Sequence, residues 1–339
     1  MDNRIVRIAV ISASEMGKVH IEAVTRNPKL ELAAICDIDE ERLKAAGEKF
    51  GVKTLYTDYR DILKDDSIEA VLVATPDQLH REMTIAALES GKHVLCEKPM
   101  ALSLEDCRAM IDASKRTGKK LMIGQICRYT PGFIAAKKLV EDGEIGELFF
   151  VESEYAHDYS KIGGAGNWRR TADRHGFLGG GCHAVDLLRW IAGDPTEVFA
   201  YSNRKMLTDW PVDDCTISVM RFPNDVIGKV FVSIGCKRGY TMRTVLYGSK
   251  GTIICDNTSP ELQLFKVTED KDEFTVPHMI PVQVNNHNAY GELDEFADVI
   301  AGDLPVRTTG AEGAATVAAC LAAVESSRLG LPVKVSYNF

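Results

Sequence analysis

Lys98 and His183 are two side chains whose types and sequence surroundings suit chemistry on a hydroxyl group. An ammonium can hydrogen-bond an oxygen and stabilise an alkoxide, and a neutral imidazole can accept and return its proton near pH 7. Lys98 follows an apolar run, and His183 lies three residues before Asp186, so both can face one side of a helix. The alternatives are a surface lysine and a capping or buried structural histidine.

Short apolar runs alternate with helical patterns up to residue 125. The strands are predicted at residues 4–11, 30–36, 70–74, 93–96 and 121–124. The helices between them are predicted at residues 16–27, 40–50, 79–90 and 104–117. This alternation is typical of βαβ units, so we predict a Rossmann domain with a doubly wound parallel sheet. Ligands bind such sheets at the carboxyl ends of the strands, and Lys98 stands at one of these ends.

The turn after the first strand is where such a sheet binds a dinucleotide, because the following helix offers free N–H groups to the pyrophosphate. The usual fingerprint G-x-G-x-x-G reads SASEMG here, and only Gly17 keeps its glycine. Serine hydroxyls can bind phosphate in place of the missing glycines. We predict cofactor contacts at Ser12, Ser14, Glu15 and Met16. A turn that binds no ligand is the alternative.

Asp37 ends the second predicted strand, 20 residues after Gly17. This is the spacing of a carboxylate that accepts hydrogen bonds from the adenosine ribose. A carboxylate there repels a 2′-phosphate, so Asp37, with Ile38 beside it, predicts NAD in preference to NADP. The alternative is a helix N-cap, because Asp37 and Asp39 precede a helix.

The pattern changes after residue 147, where strands follow one another with few helices between them. Strands are predicted at residues 148–155, 198–202, 216–221, 229–234, 242–247, 252–255 and 262–267. Helices are predicted at residues 133–140, 184–191, 290–300 and 311–327. We therefore predict an α+β domain with a large open, mainly antiparallel sheet. The predicted domains are 1–125 for the dinucleotide and 126–339 for substrate and oligomerisation, with the last helix able to pack back on the first domain.

Composition excludes several classes of protein. The chain has 339 residues, 45% of them apolar and 26% charged, with a net charge of −9, which disfavours nucleic-acid binding. No apolar run approaches the ~20 residues that span a membrane, and the N-terminus has no signal-peptide pattern. Nine scattered cysteines without a CxxC pair predict no metal site and a reducing, cytoplasmic location.

Three segments identify a family. Residues 74–76 read ATP with His80 after them, residues 91–99 read GKHVLCEKP, and residues 180–190 read GGCHAVDLLRW. With Gly124, Arg128, Pro131, Gly143 and residues 145–146, this pattern resembles the Gfo/Idh/MocA oxidoreductases over nearly the whole chain. The resemblance implies hydride transfer between nicotinamide and a secondary alcohol of a sugar or cyclitol. It also implies a homodimer or homotetramer packed through sheet faces.

The resemblance assigns further site residues. It implies additional cofactor contacts at Thr75, Pro76, His80, Glu97, Lys98, Trp168 and Arg169. It makes His183 the proton acceptor and places Lys98 at the reacting oxygen, where Pro99 can adopt the cis form. Predicted substrate residues are Arg128, Tyr155, His157 and Asp186, with strand-end packing as the alternative for Tyr155 and His157. Residues 161–171 are predicted to form a loop at the site mouth.

Gly179 departs from the family pattern. Many relatives carry an aspartate four residues before the histidine, and this chain has glycine there. Asp173, His175 and Tyr155 are candidates to replace that carboxylate. The loss also predicts a roomier site, which could admit a glycoside.

The sequence therefore predicts an NAD-dependent dehydrogenase that oxidises a secondary hydroxyl of a sugar, glycoside or inositol. One alternative is oxidation of a glycoside at C3, which acidifies the neighbouring C–H and leads to NAD-dependent deglycosylation. Another is a non-catalytic NAD(P)-binding regulatory protein, which the missing glycines and the missing aspartate favour and the intact Lys98 and His183 oppose.

Overall fold

The computed structural model of the protein describes residues 4–162, 165–267 and 276–339. Two compact units emerge from its contacts. The first contains residues 1–125, 288–314 and Phe339, and the second contains residues 126–287 and 315–338. Residues 288–314 therefore belong with the N-terminal unit, although they follow the second unit in sequence.

The regular elements follow the apolar patterns closely. The helices are α1 Glu15–Arg26, α2 Glu40–Phe50, α3 Tyr59–Leu63, α4 His80–Glu89, α5 Leu104–Thr117, α6 Pro131–Glu141, α7 Gly176–Gly179, α8 Cys182–Ala192, α9 Ala289–Ala301 and α10 Gly310–Leu329. The strands are β1 Val6–Ile11, β2 Leu30–Cys36, β3 Leu55–Tyr56, β4 Ala70–Val73, β5 His93–Glu97, β6 Leu121–Gly124, β7 Leu148–Ala156, β8 Glu197–Asn203, β9 Cys215–Arg221, β10 Ile227–Ser233, β11 Thr241–Gly248, β12 Gly251–Asp256, β13 Glu261–Lys266, β14 His278–Pro281 and β15 Val333–Lys334.

The first unit is built on a six-stranded sheet of order β3-β2-β1-β4-β5-β6. All of its strand pairs are parallel. β4 reads AVLV and is buried along its whole length, as a strand covered on both faces requires. The predicted doubly wound Rossmann sheet is confirmed.

Local capping sets the ends of the helices. Ser103 caps α5 by accepting a hydrogen bond from the Asp106 N–H, and Gly118 ends the helix in the left-handed region with φ +68°.

Residues 288–314 complete this unit. Lys29, just after α1, pairs with Asp294 and Asp298 of α9 at 3.0 and 2.9 Å.

The second unit contains a nine-stranded sheet of order β14-β13-β12-β11-β7-β10-β9-β8-β15. Only β7 and β10 pair in parallel, and the other neighbours are antiparallel, so the predicted mainly antiparallel sheet is confirmed. Burial alternates along β9, where Thr216, Ser218 and Met220 face inward, and α8 packs against β7 on the buried face.

None of the described helices is long and apolar enough to cross a membrane. All nine cysteines are free thiols. Within residues 4–162, 165–267 and 276–339, no three His, Cys, Asp or Glu side chains form a group that could hold a metal ion.

Candidate active site

The turn between β1 and α1 adopts the tight conformation that glycine usually supplies. Ser12 has φ +97°, a backbone region that non-glycine residues rarely occupy. Its hydroxyl lies 2.8 Å from the Ser14 Oγ and accepts from the Ser14 N–H at 3.2 Å. A Cβ on Gly17 would lie 2.0 Å from the Ser12 carbonyl oxygen, so this glycine is required for the helix to approach the turn.

The N-terminus of α1 fits a pyrophosphate. Ser14 is the N-cap, but its side chain makes no capping hydrogen bond, so the first-turn N–H groups are not capped by it. Glu15 is exposed and Met16 is half-buried. Of the four predicted contacts, Ser12 and Ser14 form the turn itself. The turn leads directly into the N-terminus of α1 although two of the usual glycines are missing, and a helix N-terminus is the geometry that binds phosphate.

Asp37 holds this turn against the end of β2. Its carboxylate accepts from the Ala13 N–H at 2.7 Å and the Asp39 N–H at 2.9 Å, and it pairs with the Arg42 guanidinium. Burial raises the pKa of Asp37, but the Arg42 guanidinium and the two N–H groups lower it by more. The pKa therefore lies below its ordinary value, and the carboxyl stays ionised. Asp39, rather than Asp37, caps α2 by accepting from the Arg42 N–H. The helix-cap alternative for Asp37 is therefore wrong, and Ile38 beside it is 87% exposed.

Replacing Asp37 with alanine is expected to weaken NAD binding by about tenfold or more and to reduce the preference over NADP. In the ribose contact that the sequence predicts, Asp37 supplies a charged acceptor and repels a 2′-phosphate, and the variant loses both. Fluorescence titration of each cofactor gives both dissociation constants. Asp39→Ala is the matched control: it removes the α2 cap, costs about 1 kcal/mol of stability and leaves the cofactor ratio unchanged. An unaltered ratio in Asp37→Ala would contradict the ribose contact.

His80 links the two loops that follow β4 and β5. It is fully buried, with Nδ1 2.9 Å from the Pro99 carbonyl oxygen and Nε2 3.1 Å from that of Thr75. Burial lowers the pKa of His80, but Cys96, Asp77 and the Pro99 carbonyl raise it to about 10, so both ring nitrogens can donate. The buried Thr75 Oγ1 has no hydrogen-bond partner among the residues that the structure describes, which fits a hydroxyl that hydrogen-bonds a bound ligand, and Pro76 follows it.

Glu97 closes β5 and has a buried partner that the sequence did not reveal. Its Oε1 lies 2.6 Å from the His20 Nε2, and its Oε2 accepts from the Lys98 N–H at 3.0 Å. Burial raises the pKa of Glu97, but His20 and Lys98 lower it to about 2. Lys98 is half-buried, and the Lys98–Pro99 peptide bond is cis, a form that the sequence allowed. His20, three residues after Gly17 on the buried face of α1, was not predicted from the sequence.

Arg128 and Asp186, both predicted substrate residues, bind each other in the second unit. Arg128 donates from Nε at 2.9 Å and from Nη2 at 2.7 Å to the two Asp186 oxygens. The Thr316 hydroxyl donates to Asp186 Oδ1 at 2.9 Å. Because such a bidentate pair has a fixed geometry, it anchors the first turns of α8, where His183 lies.

His183 lies in a cluster of aromatic and imidazole rings. The ring is 4% exposed, and Nδ1 lies 3.4 Å from the Cys127 Sγ. Tyr155 and His287 stack on it, each with a ring-centroid distance of 5.9 Å. The cluster consists of Tyr155, His157, Tyr159, His183, Tyr240 and His287.

Hydroxyl and imidazole groups of the cluster bind one another. The Tyr155 hydroxyl lies 2.8 Å from the Tyr159 hydroxyl and 3.3 Å from the His157 Nδ1. Burial raises the pKa of Tyr155 and of Tyr240 well above 10, so both phenols are neutral. Tyr159, Tyr240 and His287 of this cluster were not predicted from the sequence. The alternation of Tyr155, His157 and Tyr159 was an available signal for Tyr159 only.

The segment before α7 carries Trp168 and three guanidinium groups. Two of them, those of Arg169 and Arg174, lie 4.2 and 4.8 Å from the Trp168 ring centroid in a cation–π arrangement. Residues 163–164 of the predicted mouth loop lie outside the described residues. The cofactor contacts of Trp168 and Arg169 stay predictions.

The space beside Gly179 is filled rather than open. A Cβ at this position would lie 2.3 Å from the Arg174 Nη1. The prediction that the missing aspartate leaves a roomier site is therefore wrong at Gly179. Among the candidates for the missing carboxylate, Asp173 is exposed and His175 caps α7 by accepting from the Phe177 N–H. Tyr155 is the candidate that contacts His183.

Comparisons with known proteins agree with this fold. Residues 6–125 match the GFO/IDH/MocA oxidoreductase family with its NAD-binding Rossmann fold, and residues 133–254 match the GFO/IDH/MocA C-terminal domain. A myo-inositol 2-dehydrogenase of Thermotoga maritima is 32% identical over 74% of this chain and 75% of its own. An uncharacterised oxidoreductase of Bacillus subtilis is 28% identical over 97% of this chain and 96% of its own.

Solved structures agree as well. A levoglucosan dehydrogenase in complex with NADH superposes with a TM-score of 0.90 and 26% identity, covering 98% of this chain and 100% of its own. The Rossmann turn, the Asp37 carboxylate and the matches over both units lead to one conclusion. The chain belongs to the GFO/IDH/MocA family and is an NAD-dependent oxidoreductase that acts on CH–OH groups.

Proposed function

We propose that this enzyme oxidises a secondary hydroxyl of a sugar, a glycoside or an inositol, with Lys98 and His183 at the reacting oxygen. Bound NAD⁺ supplies the acceptor for the hydride that leaves the carbinol carbon. His183 takes the hydroxyl proton. The Lys98 ammonium stabilises the negative charge that develops on the oxygen.

The ring cluster around His183 carries this proposal. A sugar or cyclitol presents apolar C–H faces and a rim of hydroxyls. Rings such as Tyr155 and Tyr240 suit the faces, and the imidazoles and phenol hydroxyls suit the rim. Similarity to a myo-inositol 2-dehydrogenase and a levoglucosan dehydrogenase supports the same substrate class. We also propose a cytoplasmic location, which the nine free cysteines support.

A substrate panel tests the reaction. Purified protein is incubated with NAD⁺ and with inositols, levoglucosan, free sugars and aryl glycosides, and NADH absorbance is followed. NADH formed in step with a ketone product supports the dehydrogenase. Aglycone release without net NADH would instead favour glycoside oxidation followed by elimination, and cofactor binding with no turnover across the panel would favour a regulatory protein.

We propose further that the outer face of the nine-stranded sheet binds a second copy of the chain. Apolar side chains stand there on neighbouring strands, with Tyr201 67% and Val219 53% exposed and Ile217 paired opposite Tyr201. Lys229 and Arg243 pair with Glu152 on the same face. Apolar residues beside charges of both signs suit a self-complementary homodimer or homotetramer interface.

Replacing Ile217 with arginine is expected to reduce the oligomer to single chains, because each interface then buries an unpaired charge. Light scattering coupled to size-exclusion chromatography measures the mass. Ile5→Arg introduces the same charge at an exposed position of the first unit and should leave the mass unchanged. A parent protein that is already monomeric at micromolar concentration would rule the interface out.

A further inference from the structure

The Asp37 carboxylate already accepts hydrogen bonds at every position that its two oxygens offer, which is about four. Oδ2 accepts from the Ala13 N–H at 2.7 Å and from the Arg42 Nε at 2.9 Å. Oδ1 accepts from the Asp39 N–H at 2.9 Å and from the Arg42 Nη2. A ribose diol that binds Asp37 therefore has to replace two of these donors.

Two of the donors are backbone groups that the fold holds in place. Ala13 lies buried in the turn between β1 and α1, and Asp39 caps α2. The other two donors belong to one long side chain, that of Arg42, which is 24% exposed, whereas the Asp37 side chain is 2% exposed. A change of rotamer in Arg42 is thus the movement that opens both Asp37 oxygens to a ribose while the turn and α2 stay intact.

The neighbouring carboxylates lie towards water. That of Asp39 accepts from the Arg42 Nη1 at 3.0 Å, but the Asp39 side chain is 45% exposed. Glu40 and Glu41, in the first turn of α2, are exposed as well. Water screens such charges, so a phosphate close to Asp37 would respond chiefly to the buried carboxylate and to its guanidinium.

Arg42 gives the predicted ribose site a cation. A carboxylate without a counter-ion repels a 2′-phosphate, whereas a paired carboxylate has its charge balanced. A guanidinium stays charged at every working pH, and its planar fork matches the oxygens of a phosphate. Rossmann domains that bind NADP use an arginine in this way. The balanced pair therefore permits a cofactor that Asp37 by itself would exclude.

We propose that Arg42 is a specificity-determining residue for the cofactor: its guanidinium pairs with Asp37 in the free enzyme, gives way to the ribose diol of NAD and binds the 2′-phosphate of NADP. This inference rests on the predicted contact between Asp37 and the ribose, and it does not depend on the reaction at His183. Such an enzyme prefers NAD, because Asp37 stays close to the 2′-phosphate, but it also binds NADP. Its affinity for NAD is lowered by the free energy of separating Arg42 from Asp37.

Two nucleotides without a nicotinamide ring test the inference in the absence of turnover. ADP-ribose carries the ribose diol, ADP-ribose 2′-phosphate carries the additional phosphate, and calorimetric titration gives a dissociation constant for each. In Arg42→Met the 2′-phosphate is expected to bind about tenfold more weakly, because an unpaired carboxylate then faces it, and ADP-ribose about threefold more tightly. Arg42→Gln also removes the charge and should give the same change if the methionine variant folds poorly.

Two variants control for structure and for charge. Arg42→Lys keeps the positive charge and should hold the affinity for ADP-ribose 2′-phosphate within about threefold of the parent value. Arg116→Met removes a guanidinium that pairs with Glu89 near the ends of α5 and α4, and it should leave both dissociation constants unchanged. In the parent protein, the Arg42 Nε–H signal in a ¹H–¹⁵N spectrum is the one lost in Arg42→Lys, and it should shift when ADP-ribose binds.

Three results would overturn the inference. The first is a ratio of the two dissociation constants that stays within about threefold of the parent ratio in folded Arg42→Met and Arg42→Gln. The second is an equal loss of affinity for both nucleotides, which would make Arg42 a support of the turn. The third is an Nε–H signal that keeps its position in the saturated protein. Failure of the proposed reaction would leave all of these measurements unaffected, because none of them requires catalysis.

Discussion

Replacing Lys98 with methionine is expected to lower kcat by about 10²–10³-fold while NAD binding changes little. Methionine keeps the length of the side chain but removes the positive charge from the reacting oxygen, a loss typical of deleting one donor that stabilises an oxyanion. Steady-state NADH formation gives kcat, and fluorescence titration gives the dissociation constant for NAD. A variant that turns over at the parent rate would remove Lys98 from the mechanism.

Lys92→Met is the matched control for this experiment. Lys92 lies six residues earlier, is 2% exposed, and donates from Nζ to the carbonyl oxygens of Asp65 and Ile68 at 2.8 and 3.0 Å. Its loss removes this donor from both carbonyls. The Asp65 carbonyl keeps the Ile68 N–H at 3.2 Å, whereas a carbonyl that stays buried without a donor costs about 1–3 kcal/mol. Thermal denaturation should detect this loss, whereas kcat at a permissive temperature should not change. Lys98→Met should lose kcat, whereas Lys92→Met should lose stability and keep kcat. This difference separates a catalytic role from a structural one.

Replacing His183 with asparagine is expected to lower kcat by about 10²–10⁴-fold at pH 7, because the substrate loses its proton acceptor. The fall of kcat/KM towards acidic pH should disappear as well, since that limb reports protonation of the base. Rates measured from pH 5 to pH 10 give both results. A residual rate that keeps the parent acid limb would assign the base to another group.

His278→Asn provides the control for this substitution. His278 is an exposed residue of β14, so its replacement changes the histidine content without changing the ring cluster. Its kcat and pH profile should match those of the parent protein. If both histidine variants lost activity equally, the loss would reflect instability rather than proton transfer.

Apolar periodicity was sufficient to predict both sheets, because each long strand buries at least one face. The run AVLV and the alternation along β9 carried that information in sequence. The elements that escaped prediction are β3, α3, α7, β14 and β15, which span two to five residues. Such short segments contain too few residues to establish a period, so pairing with neighbouring strands or loop geometry decides their conformation.

Site residues divide in the same physical way. Lys98, His183 and Asp37 stand out in the sequence because each belongs to a local motif, and their roles stay predictions. The pairing of His20 with Glu97 could not be predicted, because the two side chains lie 77 residues apart in sequence. The phosphate contact of the Ser12 hydroxyl stays a prediction, whereas the positive φ of Ser12 follows from packing against Gly17.

The first unit is assembled from two stretches that lie far apart in sequence. Residues 1–125 are synthesised before α9, whose Asp294 and Asp298 pair with Lys29 and which belongs to residues 288–314. At usual elongation rates α9 follows roughly 10 to 30 s later. During that interval the nascent Rossmann sheet lacks part of its cover while the second unit is being made. Completion of the first unit therefore waits until β7 to β14 of the second unit have been synthesised.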